Sequence, residues 1–415
     1  MLTAADIPFD VEPVIFTRQD GRYVFSVRDG TIDFIVDRLR RDRHELHGEL
    51  EVRCCLKGVR TYDGALSVGS LNLSSPRARQ ERARLLTDRA KTNEVDWLGY
   101  LEEFTQRVLT SDRAGEPAIV LRDVVVPATT EDDFDINGLR LPKKHPTFLF
   151  GDGGGCKSML ALYGAGELEQ RGERVGFFDA ELDALSHRRR LGQLYPDQMP
   201  GVRYVRLERP LVYEVDRLRR IIDTDRLTYA VLDSAAFLTN GAPESAEAAG
   251  EYFRAVRQLG IGTLNIAHIT KGENGDQKPF GSVFWHNGAR STWFVKATSS
   301  DTTSTTVGLF NRKANLGPIS PAVGFRVTFT HDRIDVARIN VADVDDLATG
   351  LPLSARLKAA LRPGPMTVAQ LADELEAKTD TVKKTLDRGK GRAFTCITAT
   401  ENGVHRWALL ERRSA

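Results

Sequence analysis

A glycine-rich turn between a short apolar run and a helical pattern carries the clearest chemistry in the sequence. It reads Gly151-Asp-Gly-Gly-Gly-Cys156-Lys157-Ser158. Glycines let successive backbone N–H groups converge on phosphate oxygens, and the start of the following helix adds its dipole. Lys157 can reach the β and γ phosphates, and the Ser158 hydroxyl can bind Mg²⁺. We therefore expect ATP and Mg²⁺ to be held by Gly151, Asp152, Gly153, Gly154, Gly155, Cys156, Lys157, Ser158 and Met159.

This strand, loop and helix follow the order of a P-loop, whose pattern is G-x-x-x-x-G-K-[ST]. Cys156 stands where the pattern has its second glycine. A phosphate contact there would use the backbone N–H, which a small side chain allows, but the side chain narrows the loop and brings a thiol beside the nucleotide. The alternative is a chance Lys-Ser after a glycine-rich turn, which four glycines in one loop disfavour.

Three later apolar runs each lead to a polar side chain. Residues 174–179 lead to Glu181, residues 227–233 end in Asp233, and residues 263–268 end in His268. Between the runs lie amphipathic helical patterns, which predict a largely parallel sheet covered by helices, with late strands around 306–310 and 325–330 left open to antiparallel pairing. Because ligands bind beyond the carboxyl ends of such strands, we expect these three side chains to converge on Lys157 and Ser158.

Each converging residue suits one step of nucleotide hydrolysis. Asp233 fits the acid that supports Mg²⁺, with a turn-capping aspartate as the alternative. Glu181 is placed to orient and deprotonate the attacking water, with an exposed acid at a helix start as the alternative. His268 could sense the γ-phosphate, although an ordinary core or loop histidine remains open.

Composition limits the broad class of the protein. The chain has 415 residues, 41% of them apolar and 28% charged, with a net charge of +1, so two or three globular domains are expected and any basic surface must be local. No apolar run reaches membrane-spanning length, and we expect no membrane partner. The first residues lack a signal-peptide pattern, and four cysteines show neither metal-ligand nor disulfide spacing. We expect a cytoplasmic protein.

Residues 1–115 form a predicted α/β accessory or assembly domain. Alternation predicts strands at 22–27 and 49–54, and apolar spacing predicts a helix over 31–41. Ser75-Pro76 should start an arginine-rich helix over 77–89, which we interpret as a solvated face rather than a nucleic-acid patch.

Further predictions in this part of the sequence are a helix over 95–109, then strands at 119–121 and 124–126 in a connector, and a solvated acidic loop over 131–135.

The last sixty residues predict a separate module. Helices are expected over 354–361, 367–375 and 379–388, followed by a hairpin over 394–410 that turns at Asn402-Gly403. Three helices and a hairpin resemble a winged helix, whose third helix would enter the major groove of duplex DNA. Candidate contacts are Lys383, Lys384 and Arg388, with local charge from Lys390 and Arg392. A module used for protein contacts remains the alternative, because Asp380 and Asp387 share that helix.

Four motifs together resemble the RecA-fold ATPases, and most closely the RepA-like replicative helicases of plasmids and phages. They are the loop 151–158, Phe178-Asp-Ala-Glu181, Val231-Leu-Asp-Ser234 and Ile266-Ala-His-Ile-Thr-Lys271. The resemblance covers residues 140–340. It implies a homo-oligomer, expected to be a hexameric ring with ATP between subunits, and Glu181 as the catalytic base.

The resemblance also assigns later basic residues. The segment 310–318 is similar to the late basic motif of ring helicases, so Arg312 and Lys313 are candidates to reach a neighbouring subunit's γ-phosphate. An exposed basic hairpin is the alternative. Residues 279–291 stand where such rings have central loops and an interface arginine, here Arg290. Single-stranded DNA would contact Lys271 and Lys278 and stack on Phe284, Trp285 and His286, unless these rings pack against the sheet.

The resulting expectation is an α/β protein with a RecA-like P-loop core over 116–345, an accessory domain over 1–115 and a winged helix over 353–412. Its function is expected to be Mg²⁺-dependent ATP hydrolysis on DNA, as a hexameric helicase of a plasmid, phage or integrated element. Single-stranded DNA would pass through the ring and duplex DNA would bind the winged helix. A nucleotide-controlled DNA-binding regulator and a filament-forming recombination ATPase are the alternatives.

Overall fold

The computed structural model describes residues 14–19, 21–115, 118–126, 132–269, 279, 283–299, 302–398 and 405–410. The chain divides into two compact units, Met1–Ala128 and Thr129–Ala415, which are described separately below. Within the described residues, no helix combines the length and the apolar character that a bilayer crossing requires.

The first unit is an antiparallel sheet with two helices. Its five strands pair in chain order, so each contacts the next one along the sequence. The strands are β1 (Ile15–Gln19), β2 (Arg22–Val27), β3 (Ile32–Asp42), β4 (Glu45–Cys54) and β5 (Ala65–Asn72), and the helices are α1 (Pro76–Ala90) and α2 (Trp97–Ala114). Ser75 caps α1 by accepting from the N–H of Ala78, as its Ser-Pro start predicts.

The helix predicted over 31–41 is wrong, because this segment is strand β3. Ile32 and Val36 point into the core with Phe34 between them, and Ile35 is buried on the opposite face. A strand that buries positions on both faces produces the same apolar spacing as an amphipathic helix. Pairing with β2 and β4 decides the outcome, since it satisfies the backbone of this β-branched segment.

The arginines of α1 bind largely to the unit's own backbone. Arg79 donates to the carbonyl of Leu73, and Arg89 donates to the carbonyl of Leu66. Arg82 donates to Ser67 and to the carbonyl of Ser70. These three cations therefore tie the helix to the neighbouring strand, a structural use that the sequence did not indicate.

The connector strands predicted at 119–121 and 124–126 are also wrong. Leu121–Asp123 is a single turn of 3₁₀ helix, and Ile119 and Val125 are largely exposed. The apolar run has no strand to pair with among the described residues, so high β-propensity alone does not make it a strand.

The second unit alternates strands and helices along the chain. After the hairpin β6 (Asp133–Ile136) and β7 (Leu139–Pro142), its elements are β8 (Pro146–Gly151), α3 (Lys157–Gln170), β9 (Val175–Asp179), α4 (Ala184–Leu194), β10 (Arg203–Arg206), α5 (Val215–Asp225), β11 (Tyr229–Asp233), α6 (Ala246–Gln258), β12 (Gly262–His268), α7 (Val283–Gly288), β13 (Ser291–Ser299), β14 (Ser304–Ala314), β15 (Val323–Phe329) and β16 (Ile334–Ile339).

These elements form a nine-stranded sheet in the order β10-β9-β11-β12-β8-β13-β14-β15-β16. The strands from β10 to β13 are parallel to their neighbours, and the last three add antiparallel pairs. Every residue of β8, β9 and β11 is buried, and a separate apolar core covers each face of the sheet. The prediction of a largely parallel sheet covered by helices is confirmed.

The chain ends in three short helices and a hairpin. After α8 (Asp345–Ala348) come α9 (Leu353–Ala360), α10 (Val368–Glu374) and α11 (Thr379–Gly389), then β17 (Phe394–Thr398) and β18 (His405–Leu409). Thr367 and Gln370 form a capping box at α10. Met366 adds a bridge to Trp407, so the hairpin has the start of a third strand. The turn predicted at 402–403 lies outside the described residues, and the domain boundaries stay predictions.

Candidate nucleotide-binding site

The loop between β8 and α3 has the close backbone approach that its glycines allow. A Cβ on Gly151 would clash with the carbonyl oxygen of Val295, so a side chain there would collide with β13. Gly154 has a φ of +75°, in the left-handed region that favours glycine. The loop can therefore present its N–H groups only because these two positions lack side chains.

Cys156 occupies the third special position of the loop. Its φ of 57° and ψ of 18° lie in the left-handed region, directly before the first residue of α3. A glycine would adopt this conformation without strain, which explains why the usual pattern has one here. The thiol is half-buried and hydrogen-bonds to Thr305, and burial raises its pKa. The thiol therefore stays protonated and adds no negative charge near a phosphate.

Lys157 is held inside the loop. Its side chain is almost fully buried, and Nζ donates to the carbonyl oxygens of Gly151 at 3.1 Å and of Asp152 at 2.6 Å. Burial lowers the pKa of the amine, and the nearby Asp233 and Glu181 carboxylates oppose that shift. A cation satisfied only by loop carbonyls can exchange these acceptors for phosphate oxygens.

Ser158 and Asp233 form a pair suited to Mg²⁺. Asp233 is 1% exposed, and burial raises its pKa to about 6 despite a hydrogen bond with Ser158. Its Oδ1 is buried and has no hydrogen-bond partner within the described part of the chain. An orphaned carboxylate oxygen beside a hydroxyl fits a hard cation. No group of three His, Cys, Asp or Glu residues suited to a metal occurs among the described residues, so phosphate oxygens and water would complete the shell.

Glu181 follows β9 and lies between two polar side chains. Oε1 accepts a hydrogen bond from the Ser234 hydroxyl, and His268 Nε2 lies 3.6 Å from the same oxygen. The hydrogen bond with His268 is the largest influence that lowers the pKa of Glu181, and burial opposes it. Glu181 therefore remains a carboxylate, with 27% of its side chain exposed to the space beside the loop.

Strand register places these groups at one edge of the sheet. His268 of β12 is opposite Gly151 of β8, and Asp233 of β11 is opposite Asp179 of β9. The structure thus brings together the P-loop, Glu181, Asp233 and His268. Their roles stay predictions. Met159, also a candidate, has its side chain in the apolar core beneath the loop.

Sequence analysis missed two residues of this site. Ser234 follows Asp233 directly and contacts Glu181. Asp179 is the last residue of β9 and is fully buried, and its carboxylate accepts backbone N–H groups from the turn that carries Glu181. The available signal was an acid at a strand end, two residues before the proposed base.

Arg312 and Lys313 lie toward the opposite end of the sheet. Lys313 is paired with Thr292, which is opposite Phe148 near the start of β8, whereas the P-loop follows the end of β8. The Arg312 guanidinium lies over the rings of Phe294 and Phe310 at 5.5 and 5.6 Å. The end of the sheet on which they lie is therefore not the one that carries their own P-loop.

The candidate stacking residues divide into three groups. Trp285 is fully buried against Phe148 and Phe253, so the stacking role expected for it is wrong. Phe284 is 50% exposed and His286 is half-buried, so both stay candidates. Lys271 and Lys278 lie outside the described residues.

The third helix of the C-terminal module exposes its predicted cations. Lys383, Lys384 and Arg388 of α11 are all exposed, while Val382 and Leu386 on the other face enter the core of the module. Asp380 and Asp387 are exposed on the same helix. The arrangement is compatible with a DNA contact and with a protein contact.

No protein-family model matches the chain, and no curated protein matches it. Among solved structures, the chain is similar to the KaiC-like protein PH0186 from Pyrococcus horikoshii OT3, with 16% identity and a TM-score of 0.37 over 48% of this chain and 91% of that one. It is also similar to a structure solved as an isolated ATPase domain, with 11% identity and a TM-score of 0.39 over 48% of this chain and 85% of that one.

A third similar structure is a DnaB-like replicative helicase described with its interactions with primase. Here the identity is 11% and the TM-score 0.37, over 46% of this chain and 57% of that one. At such identities and scores the three likenesses are distant, and each involves less than half of this chain.

Proposed function

We propose that this protein is a Mg²⁺-dependent P-loop ATPase that acts on DNA, as a hexameric helicase of the RepA-like group from a plasmid, phage or integrated element. One observation carries the proposal. A buried lysine in a phosphate-sized loop, a Ser–Asp pair with an orphaned carboxylate oxygen and a charged glutamate meet at the carboxyl ends of parallel strands. This set supplies phosphate binding, metal support and a base, which are the parts that hydrolysis of ATP requires.

The residues divide the work as follows. The loop N–H groups and the start of α3 bind the phosphates, and Lys157 moves from the carbonyls of Gly151 and Asp152 to the β and γ oxygens. Ser158 and Asp233 would hold Mg²⁺, which neutralises the charge that develops on the phosphates. Glu181 accepts the proton of the attacking water, and His268, which contacts Glu181, lies where a γ-phosphate could be sensed.

A second copy of the chain would complete the site. Among the described cations, Arg312 and Lys313 lie toward the far end of the sheet from their own P-loop. A neighbouring subunit's Arg312 could stabilise the transition state, as an arginine supplied in trans does in other P-loop enzymes. This requirement supports a homo-oligomer, and the hexameric ring rests on the family resemblance.

Two surfaces are proposed to bind DNA. Single-stranded DNA would contact Phe284 together with Lys271 and Lys278. Duplex DNA would contact α11 through Lys383, Lys384 and Arg388, whose exposure supports this use.

The test is ATP hydrolysis by the purified protein with and without single-stranded DNA. We expect DNA to stimulate turnover, Lys157→Ala to abolish it, and Glu181→Gln to lower it by about 10²–10⁴-fold while nucleotide still binds. Glu208→Gln, a neutralised exposed acid of the same unit, is the matched control and should retain activity. Nucleotide binding without turnover by the wild-type protein would refute the ATPase.

The same variants separate the alternatives. A nucleotide-controlled regulator should bind one duplex sequence tightly through α11, and that binding should survive Glu181→Gln. A filament-forming recombination ATPase should show no closed rings by negative-stain microscopy. The exposed basic face of α11 is the observation that keeps the regulator as the second candidate.

A further inference from the structure

The turn that carries Glu181 is built on a buried carboxylate. Asp179 is fully buried at the end of β9. Its Oδ1 accepts the N–H of Glu181 at 3.2 Å, and its Oδ2 accepts the N–H of Leu182 at 2.9 Å. Each oxygen of one carboxylate therefore holds one of two consecutive backbone groups, which fixes the peptide plane from which Glu181 projects.

The neighbouring strand closes this arrangement from the other side. On β10, the Tyr204 hydroxyl lies 3.1 Å from Asp179 Oδ2 and 3.1 Å from the carbonyl oxygen of Leu182. Arg206 reaches the same two acceptors, at 3.3 Å from Asp179 Oδ2. The turn is thus bound through both its N–H groups and its carbonyl.

The carboxylate is charged in this setting. Burial acts against the charged form, but the bonds from His187, the backbone N–H of Glu181 and Tyr204 outweigh it and hold the pKa of Asp179 below its usual range. His187 Nε2 approaches Oδ1 at 3.5 Å from α4. A buried charge is costly to keep, and a neutral cap would satisfy a turn with less desolvation.

We propose that Asp179, supported by Tyr204 and Arg206, is a positioning residue that fixes Glu181 for proton abstraction. This inference rests on the proposed ATPase activity. Asp179 does not touch the nucleotide in this role, because it acts through the backbone of residues 181–182. A displacement of about 1 Å at a catalytic group can cost two orders of magnitude in rate, so a rigid turn matters for turnover but not for nucleotide affinity.

The decisive variant is Asp179→Asn. An amide has one acceptor oxygen, so one of the two N–H groups would face an NH₂ group and the turn would loosen. We expect kcat to fall by about 10–100-fold while the Kd for a fluorescent ATP analogue changes by less than about twofold. In a Glu181→Gln background, Asp179→Asn should lower the residual rate no further, because both act through one group.

A second variant covers the case in which the asparagine protein does not fold. Tyr204→Phe with Arg206→Gln keeps the buried carboxylate and changes side chains that are partly exposed. Its kcat should fall by about 3–10-fold with unchanged nucleotide Kd, and restoring Arg206 should recover part of the loss. Losses in kcat that multiply with that of Glu181→Gln would show a general structural role and overturn the inference.

The outcome is distinguishable from failure of the proposed function. Absence of turnover in the wild type, or full turnover in Glu181→Gln, rejects the ATPase mechanism itself. Turnover that Glu181→Gln abolishes and that Asp179→Asn or the double variant leaves at the wild-type kcat rejects only the positioning role.

Discussion

Ser158 and Asp233 are hydrogen-bonded although their elements are not neighbours in the sheet, since β12 separates β11 from the strand that leads to Ser158. This pair defines where a metal could bind. It also combines a hydroxyl with a carboxylate that is nearly devoid of solvent.

The raised pKa of Asp233 predicts that Mg²⁺ dependence changes with pH. Because burial raises the pKa to about 6, the carboxylate is protonated below that pH and a bound cation must displace the proton. The Mg²⁺ concentration for half-maximal ATPase activity should rise about tenfold per pH unit below pH 6 and be flat above pH 7. Asp233→Asn is the control, since it retains the pH dependence of the nucleotide alone. An equal slope in both proteins would contradict the prediction.

The contact between Glu181 and His268 predicts a shift in the pH–rate profile. A base must be deprotonated, and the His268 hydrogen bond keeps the pKa of Glu181 below the usual range, so wild-type kcat should persist to low pH. His268→Ala should raise that pKa and move the acid limb of kcat to higher pH at saturating Mg²⁺ and ATP. The exposed His331, changed to alanine, is the control and should leave the limb in place.

The left-handed backbone at Cys156 predicts an inverted order of stability. At ordinary positions glycine is less stabilising than alanine by about 0.5–1 kcal/mol. At a φ of 57° the Cβ of alanine is strained, so Cys156→Gly should be more stable than Cys156→Ala by roughly 1 kcal/mol. Thermal unfolding of both proteins measures the difference. The same pair at Cys396, whose φ is not positive, should show the ordinary order.

The different contacts of Arg312 and Lys313 predict different roles. Lys313 Nζ donates to the carbonyls of His286 and Asn287 at the end of α7, whereas Arg312 lies over two aromatic rings. Arg312→Ala should lower kcat by about 10³-fold with nucleotide still bound, and Lys313→Ala should have the smaller effect on turnover. Mixing Arg312→Ala with Lys157→Ala protein should restore some ATPase activity, because each copy supplies what the other lacks. Without recovery in such mixtures, action in trans would be rejected.

The exposed cations of α11 predict a salt-dependent duplex contact. Lys383→Ala and Lys384→Ala should each weaken duplex binding and reduce the slope of log K against log salt by about 1. Lys57→Ala, an exposed lysine of the first unit, should leave the slope unchanged. Unaltered DNA binding in all three proteins would favour a protein-binding role for the module.

The sequence by itself determined the local chemistry of the site. The loop from Gly151 to Ser158, the helix that follows it and the strand ends at Asp233 and His268 depend on neighbouring residues, because backbone freedom, capping and apolar runs are local properties. For the same reason the caps of α1 and α10 could be predicted.

Only the tertiary structure decided which groups meet across the sheet and which are buried. The segment 31–41 became a strand because β2 and β4 pair with it, and Trp285 became core because Phe148 and Phe253 surround it. The network of Asp179 needs Tyr204 from the adjacent strand β10. Pairing partners and burial are set by residues far apart along the chain, and a local pattern contains no information about them.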